Sequence, residues 1–171
     1  MTEPRYNVLF LCTGNSARSV LGECLVNHLG GGRFRGYSAG SHPSGRIFQP
    51  VLEFLESQGL ETGQLRSKSW DEFAAPDAPL MDFVFTVCDS AANEVCPVWP
   101  GQPITAHWGM PDPVAMAGDE QRAVRAVQEV VRMLSNRIRL FTSLPLDSLD
   151  RMSLQARLKE ISQYTDEPAP S

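Results

Sequence analysis

The chain has 171 residues, of which 42% are hydrophobic and 20% are charged, a composition typical of one globular domain. Fifteen basic and twenty acidic residues give a formal net charge of −5, whereas general nucleic-acid binders usually carry a basic excess. Four cysteines are too few for a disulfide scaffold, and no apolar run has the length of a secretory signal or a membrane span. These features predict a cytoplasmic protein with reduced thiols and with no nucleic-acid or membrane partner.

The pattern of apolar residues predicts four strands that alternate with helices. The predicted strands cover residues 7–11, 34–39, 82–87 and 104–107, and the predicted helices cover about 20–29, 50–58, 119–141 and 148–161. Residues 60–79 are expected to be mostly irregular. The alternation predicts an α/β fold, a three-layer sandwich with a central parallel sheet of about four strands. We expect a single α/β domain over residues 1–164 and a disordered tail at 165–171.

The longest predicted helix, at residues 119–141, has one apolar stripe. The stripe consists of Val124, Val127, Val131, Leu134, Ile138 and Phe141. We expect the helix to pack against the sheet through these side chains. The arginines of the same helix are expected on the opposite, solvated face.

Residues whose side chains could take part in a reaction follow three of the predicted strands. Cys12 follows the first strand, Cys88 follows the third, and Asp112 lies in the loop after the fourth. In open parallel sheets, ligands bind at the carboxyl ends of the strands. The sequence therefore predicts that these three side chains converge on one site.

The turn between the first strand and the first helix predicts an oxyanion site. Cys12 and Arg18 are separated by five residues, and successive backbone amides of such a turn point inward, where the positive end of the helix dipole adds to them. The guanidinium of Arg18 can hold two oxygens of a tetrahedral anion. The expected oxyanion-binding residues are Thr13, Gly14, Asn15, Ser16, Ala17, Arg18 and Ser19.

The same donors should stabilise a thiolate, so we expect a depressed pKa and a nucleophilic sulfur at Cys12. Gly14 and Asn15 are residue types that tolerate a left-handed backbone. Ser19 is placed to cap the helix and to donate a hydrogen bond to the thiolate. The alternative is an ordinary turn that contains a buried cysteine.

The segment at residues 8–19, VLFLCTGNSARS, resembles the N-terminal loop of the low-molecular-weight protein tyrosine phosphatases and, equally, that of the arsenate reductases built on the same fold. The resemblance continues through Ser38-Ala39-Gly40, Thr86-Val87-Cys88, His107-Trp108-Gly109 and Asp112-Pro113, and it covers roughly residues 6–140. Ala17 departs from the pattern, because many of these reductases have a second loop cysteine there.

The resemblance implies a shared first step for both activities. Cys12 would attack a tetrahedral oxyanion centre that is held by Arg18, and Asp112 would protonate the leaving oxygen. The prolines on either side of Asp112 restrict the local backbone, which favours a fixed carboxyl group. A turn aspartate without a catalytic role is the alternative for this residue.

The need for a second thiol distinguishes arsenate reduction from phosphate ester hydrolysis, because a reductase uses that thiol to resolve the adduct on Cys12. The resemblance implies a relay in which Cys12 passes the oxidation to Cys88 and Cys88 passes it to Cys96. This favours arsenate reduction, with arsenic resistance as its role and thioredoxin or glutathione with glutaredoxin as the external reductant. The alternatives are a phosphotyrosine or phosphomonoester phosphatase and a non-catalytic oxyanion-binding regulator. We expect no tightly bound cofactor.

Four residues, of which Asn15 belongs to the loop itself, are expected to support the loop. By their offset from the nucleophile, Asn15, Glu23 and Ser38 match positions that bind a potassium ion in some of the reductases that the chain resembles. Lys68 occupies the position of an aspartate in those enzymes, and its ammonium could replace the ion. We therefore expect no metal site and no potassium dependence. A solvent-facing lysine is the alternative.

Overall fold

The structure is a computed structural model that describes residues 6–88 and 99–163. Its four strands, β1 (Tyr6–Cys12), β2 (Phe34–Gly40), β3 (Phe83–Thr86) and β4 (Ile104–His107), form a parallel sheet in the order β2-β1-β3-β4. This confirms the predicted α/β class and the four parallel strands. The predicted tail at 165–171 and Cys96 lie outside the described residues.

Helices connect and flank the strands in the described part of the chain. They are α1 (Arg18–Leu29), α2 (Gln49–Ser57), α3 (Asp71–Ala74), α4 (Glu120–Thr142) and α5 (Arg151–Ser162), with a 3-10 helix at Pro113–Met116. The short α3 lies in the segment that was predicted to be mostly irregular. Four residues give too few turns for an apolar period to be visible, so the sequence pattern did not reveal it.

The central strand β1 separates two hydrophobic clusters of unequal size. Val8 and Phe10 belong to the larger cluster, which also contains the apolar sides of α1, α2, α4 and α5. Leu9 and Leu11 belong to the smaller one, which includes Phe73 of α3. Because alternate residues of a strand point to opposite faces, a wholly apolar strand needs cover on both sides. The layer on the α3 side is the thinner of the two.

The buried side of α4 differs from the predicted stripe. Val124 is 37% exposed and Val131 is half-buried, while Ala123 and Val130, one residue earlier, are buried. The helix is thus rotated slightly from the orientation that the largest apolar residues favoured. The rotation also buries Arg137, which is only 6% exposed, so the expectation that all arginines of this helix are solvated was wrong.

Helix α5 covers the outer edge of β4, the last strand of the sheet. The Arg151 guanidinium donates hydrogen bonds to the carbonyls of Gln102 (2.9 Å) and Pro103 (3.2 Å), and the Gln155 amide donates to the carbonyl of Thr105. An uncovered edge strand offers unpaired backbone groups to other chains. The helix therefore satisfies carbonyls at the sheet edge and protects it.

A stack of aromatic rings anchors the chain just after β4. The Trp108 ring lies parallel to that of Phe85, with 3.9 Å between centroids, and its indole N–H donates to the carbonyl of Leu158 at 3.2 Å. Trp108 is fully buried. The loop that carries Asp112 thus starts from a fixed point in the core.

None of the helices in the described part of the chain combines the length and the apolar character that crossing a lipid bilayer requires.

The orientation of α4 can be tested with two matched substitutions. Val130→Ala removes two methyl groups from a fully buried side chain and should lower the free energy of unfolding by about 2 kcal/mol. Val124→Ala, on the same helix, should lower it by less than about 1 kcal/mol because that side chain already contacts water. Urea unfolding measures both values. Equal losses would contradict the orientation.

Candidate active site

The loop that follows β1 presents its amides to a cavity because its carbonyls are bonded elsewhere. The carbonyls of Cys12, Thr13, Gly14 and Ser16 accept hydrogen bonds from the amides of Ser41, His42, Ser44 and Phe48, at distances between 2.8 and 3.3 Å. When carbonyls are held outward in this way, the N–H groups of a tight turn face inward and create a positive concavity. Segment 41–48 is therefore the outer support of the loop.

Asn15 adopts the left-handed backbone conformation that its residue type tolerates. Its φ is 46°, and its fully buried amide donates to the Ser19 hydroxyl at 2.8 Å and accepts from the backbone N–H of Lys68 at 2.9 Å. An asparagine tolerates the left-handed region better than most residues. Gly14, the other residue of the loop that would tolerate this geometry, does not have a positive φ.

Gly40 is a site residue whose role the sequence analysis did not identify. A Cβ atom at Gly40 would lie 2.4 Å from the carbonyl oxygen of Thr13 and 3.0 Å from the backbone nitrogen of Asn15. Backbone in such close contact leaves no room for a side chain. A glycine at the carboxyl end of β2, next to the end of β1, was the available signal.

Cys12 lies at the base of the cavity with hydrogen-bond partners on two sides. Its Sγ is 2.8 Å from the Ser19 hydroxyl oxygen and accepts a hydrogen bond from the backbone N–H of Asn15 at 3.2 Å. Burial raises the pKa of Cys12, and the hydrogen bonds from Ser19 and Asn15 act in the opposite direction without cancelling it. The expected depression of this pKa is therefore not found, because the sulfur is almost fully removed from water.

Ser19 contacts the sulfur as expected but does not cap the helix. The cap position of α1 is Ala17, which has no side-chain hydrogen bond to offer. Ser19 is the second residue of the helix, and its hydroxyl lies between Cys12 and Asn15. The helix therefore directs its unsatisfied first-turn amides toward the cavity, where an anion can accept from them.

Arg18 and Asp112 face each other at the mouth of the cavity. Their closest side-chain atoms, Nη2 and Oδ2, are 3.5 Å apart, and Arg18 Nη1 also donates to the carbonyl of Met110 at 3.2 Å. Asp112 accepts from the Val114 amide at 3.0 Å, as the cap of the 3-10 helix. The cavity has a volume of about 370 Å³, and its lining includes residues 12–14 and 16–18 together with Asp112.

A second thiol, that of Cys88, is buried beside the loop. Its Sγ lies 3.6 Å from the hydroxyl oxygen of Thr13, and the residue is 4% exposed. The preceding residue donates its amide to the carbonyl of Leu11 at 2.8 Å, which fixes the end of β3 next to that of β1. Burial is the main reason that the pKa of Cys12 is raised, and the neighbouring Cys88 acts in the same direction. The predicted exit thiol Cys96 is outside the described residues.

The four predicted support residues are close together behind the loop. Lys68 Nζ is 3.7 Å from the Glu23 carboxylate, which also accepts a hydrogen bond from the Ser38 hydroxyl at 2.6 Å. Asn15 joins the group through the backbone of Lys68. The lysine side chain is 9% exposed, and burial lowers its pKa although Glu23 acts to raise it. Lys68 therefore faces the interior and not the solvent.

Side chains of the types that commonly bind metals do not cluster in the described ranges 6–88 and 99–163. No group of three histidine, cysteine or acidic side chains is placed there to hold a metal ion. His107, at the end of β4, shares a hydrogen bond of 2.8 Å with the Thr86 hydroxyl of the neighbouring strand. The contact links the ends of β3 and β4.

Comparison with known proteins places these features in a family. The family model for the low molecular weight phosphotyrosine protein phosphatases matches residues 7–152. An arsenate reductase from Bacillus subtilis (strain 168) is 31% identical over 134 residues, which cover 78% of this chain and 93% of the relative.

Two solved structures are also similar. The thioredoxin-dependent arsenate reductase of Corynebacterium glutamicum superposes with a TM-score of 0.62 at 28% identity, covering 86% of this chain and 66% of that one. The arsenate reductase of Archaeoglobus fulgidus superposes with a TM-score of 0.58 at 29% identity, covering 77% and 98%. The family match at residues 7–152 includes Cys12, Arg18, Cys88 and Asp112.

The contact between Cys12 and Ser19 predicts a pH effect. Only the thiolate reacts with iodoacetamide, so alkylation of Cys12 should accelerate as pH rises toward its raised pKa. Ser19→Ala removes a hydrogen bond that lowers this pKa, and the profile should move to higher pH by about one unit. Peptide mass spectrometry measures the rate at Cys12. Ser57→Ala, on the exposed side of α2, is the control, and an unchanged profile in Ser19→Ala would contradict the prediction.

Proposed function

The chain belongs to the low molecular weight phosphotyrosine protein phosphatase family, and from this premise we propose that it reduces arsenate to arsenite through a cysteine relay that begins at Cys12. Two buried thiols, those of Cys12 and Cys88, lie at the same loop, and this arrangement is the main support for the proposal. Hydrolysis needs one nucleophilic sulfur, whereas reduction of arsenic needs two thiols to supply two electrons.

Substrate binding uses the loop amides and Arg18. The guanidinium can hold two oxygens of the tetrahedral anion while the amides at the start of α1 hold another. Asp112 lies close enough to Arg18 to compete for it, and an incoming anion would take over part of that contact. Desolvation in the cavity strengthens these electrostatic interactions.

The first chemical step forms a sulfur–arsenic bond. The Cys12 thiolate attacks As(V), Asp112 gives a proton to a departing oxygen, and that oxygen leaves as water. Because the pKa of Cys12 is raised, turnover at neutral pH uses a minor thiolate population. The hydrogen bonds from Ser19 and Asn15 increase that population. No redox change occurs in this step.

The second step carries the reduction. The Cys88 thiolate attacks the sulfur of Cys12, the sulfur–arsenic bond breaks, and its electron pair stays on arsenic, which leaves as arsenite. Two thiols have then become the Cys12–Cys88 disulfide, and As(V) has become As(III). The contact between Cys88 and Thr13 supports this step because it holds the second sulfur at the loop.

The relay ends with an external dithiol. The Cys96 thiolate would attack Cys88, which restores Cys12 and moves the disulfide to the pair Cys88–Cys96 for reduction by thioredoxin. Glutathione with glutaredoxin is the alternative donor. Both systems are kept reduced in the cytoplasm, so we propose that the protein works there.

Replacement of the second thiol separates the two activities of the family. Cys88→Ser should reduce steady-state arsenite production to the background level, because a hydroxyl cannot resolve the adduct on Cys12. Arsenate should still protect Cys12 from alkylation in this variant. Arsenite production with thioredoxin, thioredoxin reductase and NADPH is the assay. Cys24→Ser, a change to a half-buried cysteine on α1, is the matched control and should keep full activity.

Cys96→Ser extends the same experiment. It should release about one arsenite per chain in a single turnover and then stop with thioredoxin, because the Cys12–Cys88 disulfide still forms. Sustained turnover of this variant with glutathione and glutaredoxin would instead identify that donor. Sustained turnover of Cys88→Ser on aryl phosphate, together with no arsenite from the unmodified protein, would favour the phosphatase.

We also propose that the Lys68 ammonium replaces a potassium ion behind the loop. Its distance to the Glu23 carboxylate and its burial support this role, since an unpaired buried carboxylate is costly. The ammonium contacts Glu23 while the backbone of the same residue contacts Asn15, so charge and loop geometry are linked. A compact cation with three donors suits this position.

The role of Lys68 predicts the response to potassium. Potassium chloride should change the kcat/KM of the unmodified protein by less than about twofold relative to sodium chloride of equal ionic strength. Lys68→Met should lower kcat/KM by about tenfold, a loss of about 1.4 kcal/mol, and potassium should restore part of it. Lys159→Met, on the exposed side of α5, is the control. Strong stimulation of the unmodified protein by potassium would overturn the proposal.

A further inference from the structure

A buried arginine below the Asp112 loop has no role in the chemistry described so far. Arg137 lies on the core side of α4, next to Ile138 and one turn after Leu134, and is 6% exposed. Arginine stays charged in proteins, and a charge in such surroundings is expensive unless it is used. A methionine or leucine would fill the same position at lower cost.

The contact of Arg137 is with the backbone of the loop. Its Nη1 donates to the carbonyl of Gly109 at 3.0 Å, three residues before Asp112. In the described part of the chain no carboxylate lies within ion-pair distance of this guanidinium. Among residues 6–88 and 99–163, the guanidinium is therefore directed at a peptide carbonyl and is not neutralised by an acid.

Two guanidinium groups hold consecutive carbonyls of this loop. Arg137 binds the carbonyl of Gly109 from the core, and Arg18 binds the carbonyl of Met110 from the cavity. Arg18 also contacts Asp112 and must turn its donors to an arriving anion. Arg137 does not line the cavity, so its contact does not depend on the ligand.

We propose that Arg137 is a positioning residue for Asp112. Its hydrogen bond fixes the carbonyl of Gly109, and the buried ring of Trp108 anchors the chain just before it. The loop therefore keeps Asp112 at the cavity that Cys12 lines when Arg18 turns to the oxyanion. The inference rests on the proposed function, in which Asp112 is the proton donor. A displacement of about 1 Å at a reacting group can cost up to a hundredfold in rate.

The test compares single and double variants in the thioredoxin-coupled assay. Arg137→Met should lower kcat for arsenate by about tenfold to a hundredfold and change KM by less than about threefold, because the oxyanion loop is untouched. Asp112→Asn should lower kcat at least as much. In the Asp112→Asn background, Arg137→Met should cause no further loss, because it acts through the carboxyl group. Arg139→Met, at an exposed position of the same helix, is the control.

The controls separate positioning from stability. Arg137→Lys keeps a charged donor and should recover part of kcat, and the rate of Cys12 alkylation should be unchanged in the folded Arg137 variants. If Arg137→Met does not fold, Arg137→Gln, which keeps an N–H donor without the charge, enters the same cycle. Full activity of a folded Arg137 variant, or multiplicative losses with Asp112→Asn, would overturn the inference. A normal kcat in Asp112→Asn alone would instead overturn the proposed role of Asp112.

Discussion

The hydrogen bonds between segment 41–48 and the carbonyls of the loop at residues 12–16 are the contacts on which the site depends. A tight turn between a strand and a helix has many possible conformations, and only those with outward carbonyls present amides to an anion. Gly40 allows the two segments to approach, since any side chain there would overlap the carbonyl of Thr13. Asn15 completes the arrangement, because its left-handed backbone reverses the chain while its side chain bonds to Ser19 and Lys68.

The proposed chemistry requires both oxyanion binding and a Cys12 thiolate, and burial favours the first but disfavours the second. Burial strengthens the interaction of an oxyanion with the amides and with Arg18, because the local dielectric is low. It also raises the pKa of Cys12 and so reduces the fraction of reactive thiolate. Ser19 and Asn15 offset part of this cost through hydrogen bonds to the sulfur. A negative substrate would benefit from the same donors, so thiolate and anion compete for one set of positive groups.

The scaffold supplies rigidity at the carboxyl ends of β1, β3 and β4. The Thr86 to His107 hydrogen bond joins the ends of two strands, and Trp108 stacks on Phe85 directly below the loop that carries Asp112. Helix α5 adds to this rigidity, because it accepts the indole hydrogen bond and covers the edge of β4. The site is thus assembled from loops, but each loop starts from a residue that is fixed in the core.

Local periodicity was enough to predict the α/β class and the four strands, and a short motif singled out the loop between β1 and α1 as the proposed oxyanion site. The sequence also indicated that Cys88 and Asp112 lie near Cys12, since parallel strands bring their carboxyl ends to one edge. Three features depend on long-range packing: the rotation of α4 that buries Arg137, the close approach at Gly40, and the raised pKa of Cys12. Each depends on which distant segments pack against a residue, and local sequence spacing does not predict that packing.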